Sequence, residues 1–105
     1  MTTLERFNEI FADQMAHCEQ VLKVKGDEYV FGADRLEHFK TSAATQGNTP
    51  KQALWAMAAK HITSLSGMCK AEGDYSPELW REKITDTMNY LFLLWALVQE
   101  DFDYD

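Results

Sequence analysis

Three polar residues near the C-terminus have the types and spacing of a small metal or phosphate site. Glu82, Asp86 and Asn89 follow one another at intervals of four and three residues, which places them on one face of an α-helix. Carboxylates one turn apart repel each other, and a hard divalent cation such as Mg²⁺ supplies the missing counter-charge through oxygen ligands. Arg81 and Lys83 lie on the same turn and could neutralise the acids instead, so a plain surface cluster is the alternative.

A second charged segment, KGDEYVFGADRLEHF, occupies residues 25–39. It combines acids, a lysine and an arginine with aromatic residues, a composition that suits a segment that packs and also presents charge. Asp34 and Glu37 could bind metal, and Glu28 is a competing candidate. Asp34 could equally cap a helix, with Glu37 three residues later in the capping-box position. Both interpretations fit the spacing.

The composition limits the protein class. The chain has 105 residues, 46% of them hydrophobic, and a formal net charge of -7, which suits one domain (residues 1–105) and argues against a nucleic-acid or anionic-membrane partner. Its longest apolar run, residues 90–98, is about half of a membrane span, and its N-terminus has no apolar signal region. Cys18 and Cys69 are isolated cysteines, which favours a reducing cytoplasm.

Helical periodicity accounts for nearly the whole chain. We expect three long helices and one short helix in a four-helix bundle-like, all-α domain. The start and stop signals predict a first helix from about Thr3 to Val24 ended by Gly26, a short helix from Asp34 to Gly47, a third capped by Thr49 and stopped by Gly73, and a fourth from Ser76-Pro77 to about Glu100.

The fourth helix carries more apolar residues than one buried stripe needs. Its main stripe is expected to face the core and comprises Trp80, Ile84, Met88, Leu91, Trp95 and Val98. Its second half is apolar all round, which is typical of a helix covered by other helices or by a second subunit. We therefore predict a homo-oligomer, most simply a dimer or tetramer, with Glu82, Asp86 and Asn89 at the mouth of a buried groove. His61, on the stripe of the third helix, is expected to be a core histidine.

The order of these motifs resembles that of the MazG-like, all-α nucleoside triphosphate pyrophosphohydrolases, in particular their small, often phage-encoded relatives. Those proteins carry a Lys-x-x-Asp-Tyr element, an Asn-Phe-Lys element and an Asp-x-x-Asn-Tyr helix. The corresponding stretches here are Lys25-Gly-Asp-Glu-Tyr29, Arg35-Leu-Glu-His-Phe-Lys40, Lys60, and Glu82 to Tyr90. The resemblance covers roughly residues 20–98.

This resemblance implies an oligomeric bundle in which acids hold Mg²⁺ and water releases pyrophosphate and a nucleoside monophosphate from a nucleoside triphosphate. The implied catalytic residues are Glu37, Glu82 and Asp86. The implied metal ligands are Glu28, Asp34, Glu37, Glu82 and Asp86. The implied substrate contacts are Lys25, Lys40 and Lys60 for phosphate, and Tyr29 and Asn89 for base or sugar. A phage-encoded protein of this kind would act in the host cytoplasm.

Two other functions are compatible with the same sequence. A non-enzymatic phage or accessory protein could keep the bundle and bind a nucleotide or a host protein. A helical oligomerisation module is the third possibility. Whether the carboxylates of residues 25–39 and of the fourth helix converge distinguishes the enzyme from the other two.

Overall fold

The computed structural model describes residues 1–29, 32–71 and 73–102, with the side chain of Tyr29 left out, and all regular secondary structure in these ranges is α-helical. The helices are α1 (Leu4–Tyr29), α2 (Glu37–Gln46), α3 (Pro50–Lys70) and α4 (Pro77–Asp101). The predicted all-α domain with three long helices and one short helix is confirmed. In the described ranges, no helix has both the length and the apolar character that a membrane span requires.

Two helix starts follow the predicted capping chemistry. Thr49 accepts a hydrogen bond from the backbone N–H of Gln52, and the Gln52 side chain accepts one from the backbone N–H of Thr49. Ser76 accepts from the backbone N–H of Leu79 at the start of α4. Each bond satisfies an amide that has no partner within its helix. At the end of α2, Gly47 adopts a left-handed conformation with φ of 70°, as predicted.

Three predicted boundaries are wrong. Helix α1 does not end at Gly26 but continues to Tyr29, and α3 ends at Lys70, before Gly73. Helix α2 begins at Glu37, because Asp34 accepts a hydrogen bond from the backbone N–H of Leu36 and so forms a turn before the helix instead of a capping box. Short acidic side chains stabilise such turns as readily as they cap helices.

The hydrophobic core lies where α2, α3 and α4 meet. Its buried residues are Leu36, Phe39, Leu54, Ala58 and Leu97. Helix α3 packs against both α2 and α4, whereas α1 packs mainly along α4. The core is therefore built from three helices, and α1 is attached to it through α4.

The orientation of α4 differs from the prediction. Ile84, Leu91 and Trp95, expected in the core, are 38%, 48% and 59% exposed, whereas Thr85 and Asn89 are buried. The buried side of α4 packs against α1 and α3. On that side, Thr85 accepts a hydrogen bond from Gln14 of α1, and Asn89 donates one to the backbone carbonyl of Cys18. The face that carries Asp86 and Asn89 is therefore the inner face of α4 in the single chain.

Candidate functional site

A cavity of about 270 Å³ opens between α1, α2 and α4. We call it the Asp86 cavity. It is lined by two residues of α1, three from Arg35 onward at the start of α2, and four of α4: Leu22, Lys25, Arg35, His38, Phe39, Asp86, Asn89, Tyr90 and Leu93. Cationic, carboxylate, amide and aromatic groups thus converge from three parts of the sequence.

Asp86 lies between a cation of α1 and a histidine of α3. Its side chain is 17% exposed, its Oδ1 is 3.9 Å from the Nζ of Lys25, and its Oδ2 is 3.9 Å from the Nδ1 of His61. Both distances exceed hydrogen-bond length, but the distance to the Lys25 ammonium group is short enough for charge attraction in a partly buried site. Asp86 therefore offers both carboxylate oxygens to a ligand in a positively charged neighbourhood.

Asn89, a residue of the cavity lining, carries an unsatisfied acceptor. The residue is 6% exposed, and its Nδ2 donates to the backbone carbonyl of Cys18 at 3.3 Å. Its Oδ1 is buried without a hydrogen-bond partner among the residues that the structure describes. Buried polar atoms are nearly always paired, and an unpaired one costs about 1–3 kcal/mol. A ligand N–H or O–H in the cavity would supply the missing donor.

His61 reaches the same site from α3. Its ring centroid lies 5.3 Å from that of Tyr90, and its Nδ1 is buried with no hydrogen-bond partner in the described part of the chain. From the sequence, His61 was predicted only to be a core histidine on the apolar stripe of α3. That stripe faces α4, and the position opposite His61 is occupied by Asp86.

The Arg35 side chain passes close to a glycine of α1. A Cβ atom at Gly26 would lie 2.9 Å from the Nε of Arg35, closer than such atoms normally approach. Gly26 therefore lets the guanidinium group pass close to α1. The sequence indicates Arg35 only as part of the charged segment, and no local signal links it to Gly26.

A groove beside the Asp86 cavity contains the second predicted acid of α4. Lys25 and Asp86 line both spaces, and the groove adds Arg81 and Glu82. Arg81 is held by α1, because its Nη2 lies 2.9 Å from the Oδ2 of Asp13. Glu82 itself is exposed. Glu82 and Asp86 therefore face a common groove, as their spacing predicted.

Asp34 and Lys40 lie at a different place. The Nζ of Lys40 bonds to the Oδ2 of Asp34 at 2.5 Å and to Glu100 near the end of α4. This hydrogen bond, followed by that from the backbone N–H of Leu36, holds the pKa of Asp34 below its usual value, and the same carboxylates raise the pKa of Lys40. Glu100 follows Asp86 by about 21 Å of helix. The structure thus places these two predicted site residues in an ion-pair cluster apart from the cavity.

The other predicted residues are also dispersed. Glu37 accepts a hydrogen bond from the hydroxyl of Thr41 at 3.3 Å, and Glu28 and Lys60 are exposed. The side chain of Tyr29 lies outside what the structure describes. No group of three or more His, Cys, Asp or Glu residues is positioned to hold a metal ion within the described ranges. Of the predicted site, Lys25, Asp86 and Asn89 come together, with Glu82 beside them.

Comparison of the chain with protein-family models, with curated proteins and with solved structures found no match. The resemblance to MazG-like pyrophosphohydrolases therefore stays a prediction that rests on the sequence motifs. The geometry of the Asp86 cavity is an independent basis for a functional proposal.

Proposed function

We propose that this protein binds a nucleoside triphosphate at the Asp86 cavity and hydrolyses it, with Mg²⁺, to a nucleoside monophosphate and pyrophosphate. The observation that carries the proposal is the meeting of Lys25, Asp86 and Asn89 at one cavity. These residues come from the two sequence motifs that suggested a phosphate site. Such a constellation of polar groups in an apolar pocket is the usual form of a small-molecule site.

The lining of the cavity suits the parts of a nucleotide. Lys25 and Arg35 provide positive charge for phosphate, while Phe39, Tyr90 and neighbouring leucines provide apolar contact for a base. A volume of about 270 Å³ is at the small end for a ligand pocket. We therefore assign the nucleoside to the cavity and the phosphate tail to the adjoining groove, with Asp86 at the junction.

The oxygen ligands present fit Mg²⁺ in the form that it usually takes with nucleotides. Mg²⁺ is commonly held by one or two carboxylates together with substrate phosphates and water, and Asp86 and Glu82 line the same groove. Bound there, Mg²⁺ would offset the phosphate charge and lower the pKa of a coordinated water. Since the substrate completes the ligand set, a full protein cage is not required.

The chain's own residues would position the substrate for attack at the phosphorus next to the nucleoside. Water adds to that phosphorus and releases a proton to solvent, the bond to the bridging oxygen breaks, and pyrophosphate leaves with the electron pair. Lys25 and Arg35 would stabilise the charge on the phosphates, which is the main demand of phosphoryl transfer. His61 lies beside the carboxylate, with its Nδ1 3.9 Å from the Oδ2 of Asp86.

Nucleotide binding without hydrolysis is the second candidate. The observation that favours it is the engagement of other predicted acids elsewhere: Asp34 pairs with Lys40, and Glu37 bonds to Thr41. Among the described residues, Asp86 is therefore the one predicted metal ligand that lines the cavity. A binding protein needs the cavity, whereas an enzyme also needs the acids of the groove.

The deciding experiment is product analysis with a panel of ribo- and deoxyribonucleoside triphosphates and Mg²⁺. We expect monophosphate and pyrophosphate in equal amounts, with no inorganic phosphate. Asp86→Asn should lower kcat by about 100-fold or more, while Asp74→Asn, an exposed acid between α3 and α4, should have no effect. Triphosphate binding without turnover would select the second candidate, and absence of binding would refute both.

A matched pair of lysine variants tests the phosphate contact. Lys25→Met removes the cation 3.9 Å from Asp86, and we expect KM to rise about 10-fold, the effect of losing one charge-assisted contact. Lys70→Met changes an exposed lysine in the last turn of α3 and should leave KM unchanged. Equal effects of the two variants would show that only net charge matters.

A further inference from the structure

The first part of α1 carries an exposed apolar stripe, and its contact with α4 is the ion pair of Asp13 with Arg81. Every residue from 4 to 13 is exposed, and Leu4, Phe7 and Phe11 are 77%, 54% and 57% exposed. These residues continue the stripe on which Cys18, buried against α4, lies. We call residues 4–13 the α1 extension. An apolar helix stripe normally packs against another surface, so we expect one to cover it.

The second surface, largely uncovered, is the outer face of α4, at whose edge Met88 contacts Gln14 and Cys18 of α1. Ile84, Met88, Leu91, Trp95 and Val98 follow one another at alternating intervals of four and three residues. We call them the α4 outer stripe. This alternation is the seam along which one helix packs against another by inserting side chains into holes. Two of its largest members, Leu91 and Trp95, are about half exposed.

The surface area of the single chain indicates how much must be covered. A compact monomer of 12.1 kDa is expected to expose about 6,000 Å², whereas this chain exposes 7644 Å². The radius of gyration is likewise 16.0 Å, against about 13 Å for a compact chain of this length. The excess area, about 1,600 Å², is roughly twice what each partner buries in a standard stable interface.

We propose that a second copy of this chain covers the α1 extension and the α4 outer stripe, so that the protein is a homodimer. The seam periodicity fits a helix as the covering element, and a twofold pair places the same two surfaces of both copies in one interface. A membrane surface fits less well, because interfacial helices are rich in Lys and Arg and this chain has a net charge of -7. The inference is independent of the proposed nucleotide chemistry.

Sedimentation equilibrium at micromolar concentration tests the dimer with a matched pair of tryptophan variants. We expect twice the mass of one 12.1 kDa chain for the wild type. Trp95→Glu should weaken association by at least about 30-fold, the effect of losing one interface hot spot, with helical circular dichroism retained. Trp55→Glu changes a tryptophan of α3 that is similarly exposed, at 51%, and should leave the dimer intact.

A second variant keeps the test decisive if Trp95→Glu fails to fold. Phe11 lies in the α1 extension and is 57% exposed, so Phe11→Ser should preserve the fold of the chain and give a folded monomer. A monomeric wild type would overturn the proposal and assign the surface to another partner. A dimer that survives in folded Trp95→Glu and in Phe11→Ser would overturn it as well.

Discussion

Replacement of Asn89 by leucine separates ligand recognition from folding. Asn89 is 6% exposed, and its Oδ1 lacks a partner among the described residues. An unpaired buried acceptor lowers the stability of the ligand-free protein. In the proposed function, the Oδ1 of Asn89 accepts a hydrogen bond from a donor on the nucleotide. The Asn89→Leu variant removes the acceptor while keeping a side chain of similar size.

The expected change in stability follows from the contacts of Asn89. The variant loses one hydrogen bond, from Nδ2 to the carbonyl of Cys18, worth about 0.5–1.5 kcal/mol. That carbonyl is also an intrahelical acceptor of α1, so it stays bonded. Removal of the unsatisfied acceptor should raise the free energy of unfolding by about 1–3 kcal/mol. We therefore expect Asn89→Leu without nucleotide to be more stable by about 1 kcal/mol, or about 4–8 °C in Tm.

Nucleotide affinity should change in the opposite direction. Loss of one hydrogen bond to the ligand weakens binding by about 10-fold, as measured by calorimetric titration with a nonhydrolysable triphosphate. Urea unfolding at a fixed protein concentration gives the stability. Asn48→Leu is the matched control, because the Oδ1 of Asn48 is also buried and unpaired in the described structure but lies outside the cavity lining. A destabilised Asn89→Leu with unchanged affinity would refute the assignment.

Three further variants test the fold. Lys40→Met should lower the free energy of unfolding by about 1 kcal/mol at neutral pH. This loss should shrink below about pH 4, because the Asp34 carboxyl, whose pKa is lowered, contributes stability only while it is ionised in the folded state. Urea midpoints at both pH values check this. Leu54→Ala should cost about 2–5 kcal/mol by urea unfolding, since Leu54 is fully buried. Thr49→Ala should cost about 1 kcal/mol in the same assay through loss of the α3 cap.

The helices could be predicted from local chemistry because their signals act within a few residues. Thr49 and Ser76 each bond to an amide three residues away, and periodic apolar residues mark what lies between. The predicted end of α1 at Gly26 was wrong, and the reason lies in a contact distant in sequence. Gly26 leaves room for the Arg35 side chain and does not end the helix, and only the packed structure brings these two residues together.

The orientation of α4 could not be read from its sequence. A helix that is apolar nearly all round offers two candidate core faces, and hydrophobicity alone favours the stripe with Ile84, Leu91 and Trp95. The structure buries the face of Thr85 and Asn89, because these side chains bond to Gln14 and Cys18 of α1. Hydrogen bonds between helices decide which face of α4 is buried. A helical wheel of α4 alone does not show those bonds.

The candidate site was predicted in part. Spacing on one helix placed Glu82, Asp86 and Asn89 on one side of α4 without further information. The position of Asp34 depended on whether its carboxylate met a metal or the amine of Lys40, and the structure shows the amine. An acid at a helix start has several possible partners, and only the tertiary structure selects one.

The central claim is that the Asp86 cavity holds the nucleotide, and an amide-resolved NMR titration tests it most directly. An α,β-methylene triphosphate with Mg²⁺ would be added to ¹⁵N-labelled protein, so that binding occurs without turnover. We predict that the largest shifts fall on Lys25, Asp86 and the side-chain amide of Asn89, with little change at Lys40. Shifts centred on the Lys40 and Glu100 cluster, or no saturable shifts at all, would contradict the account.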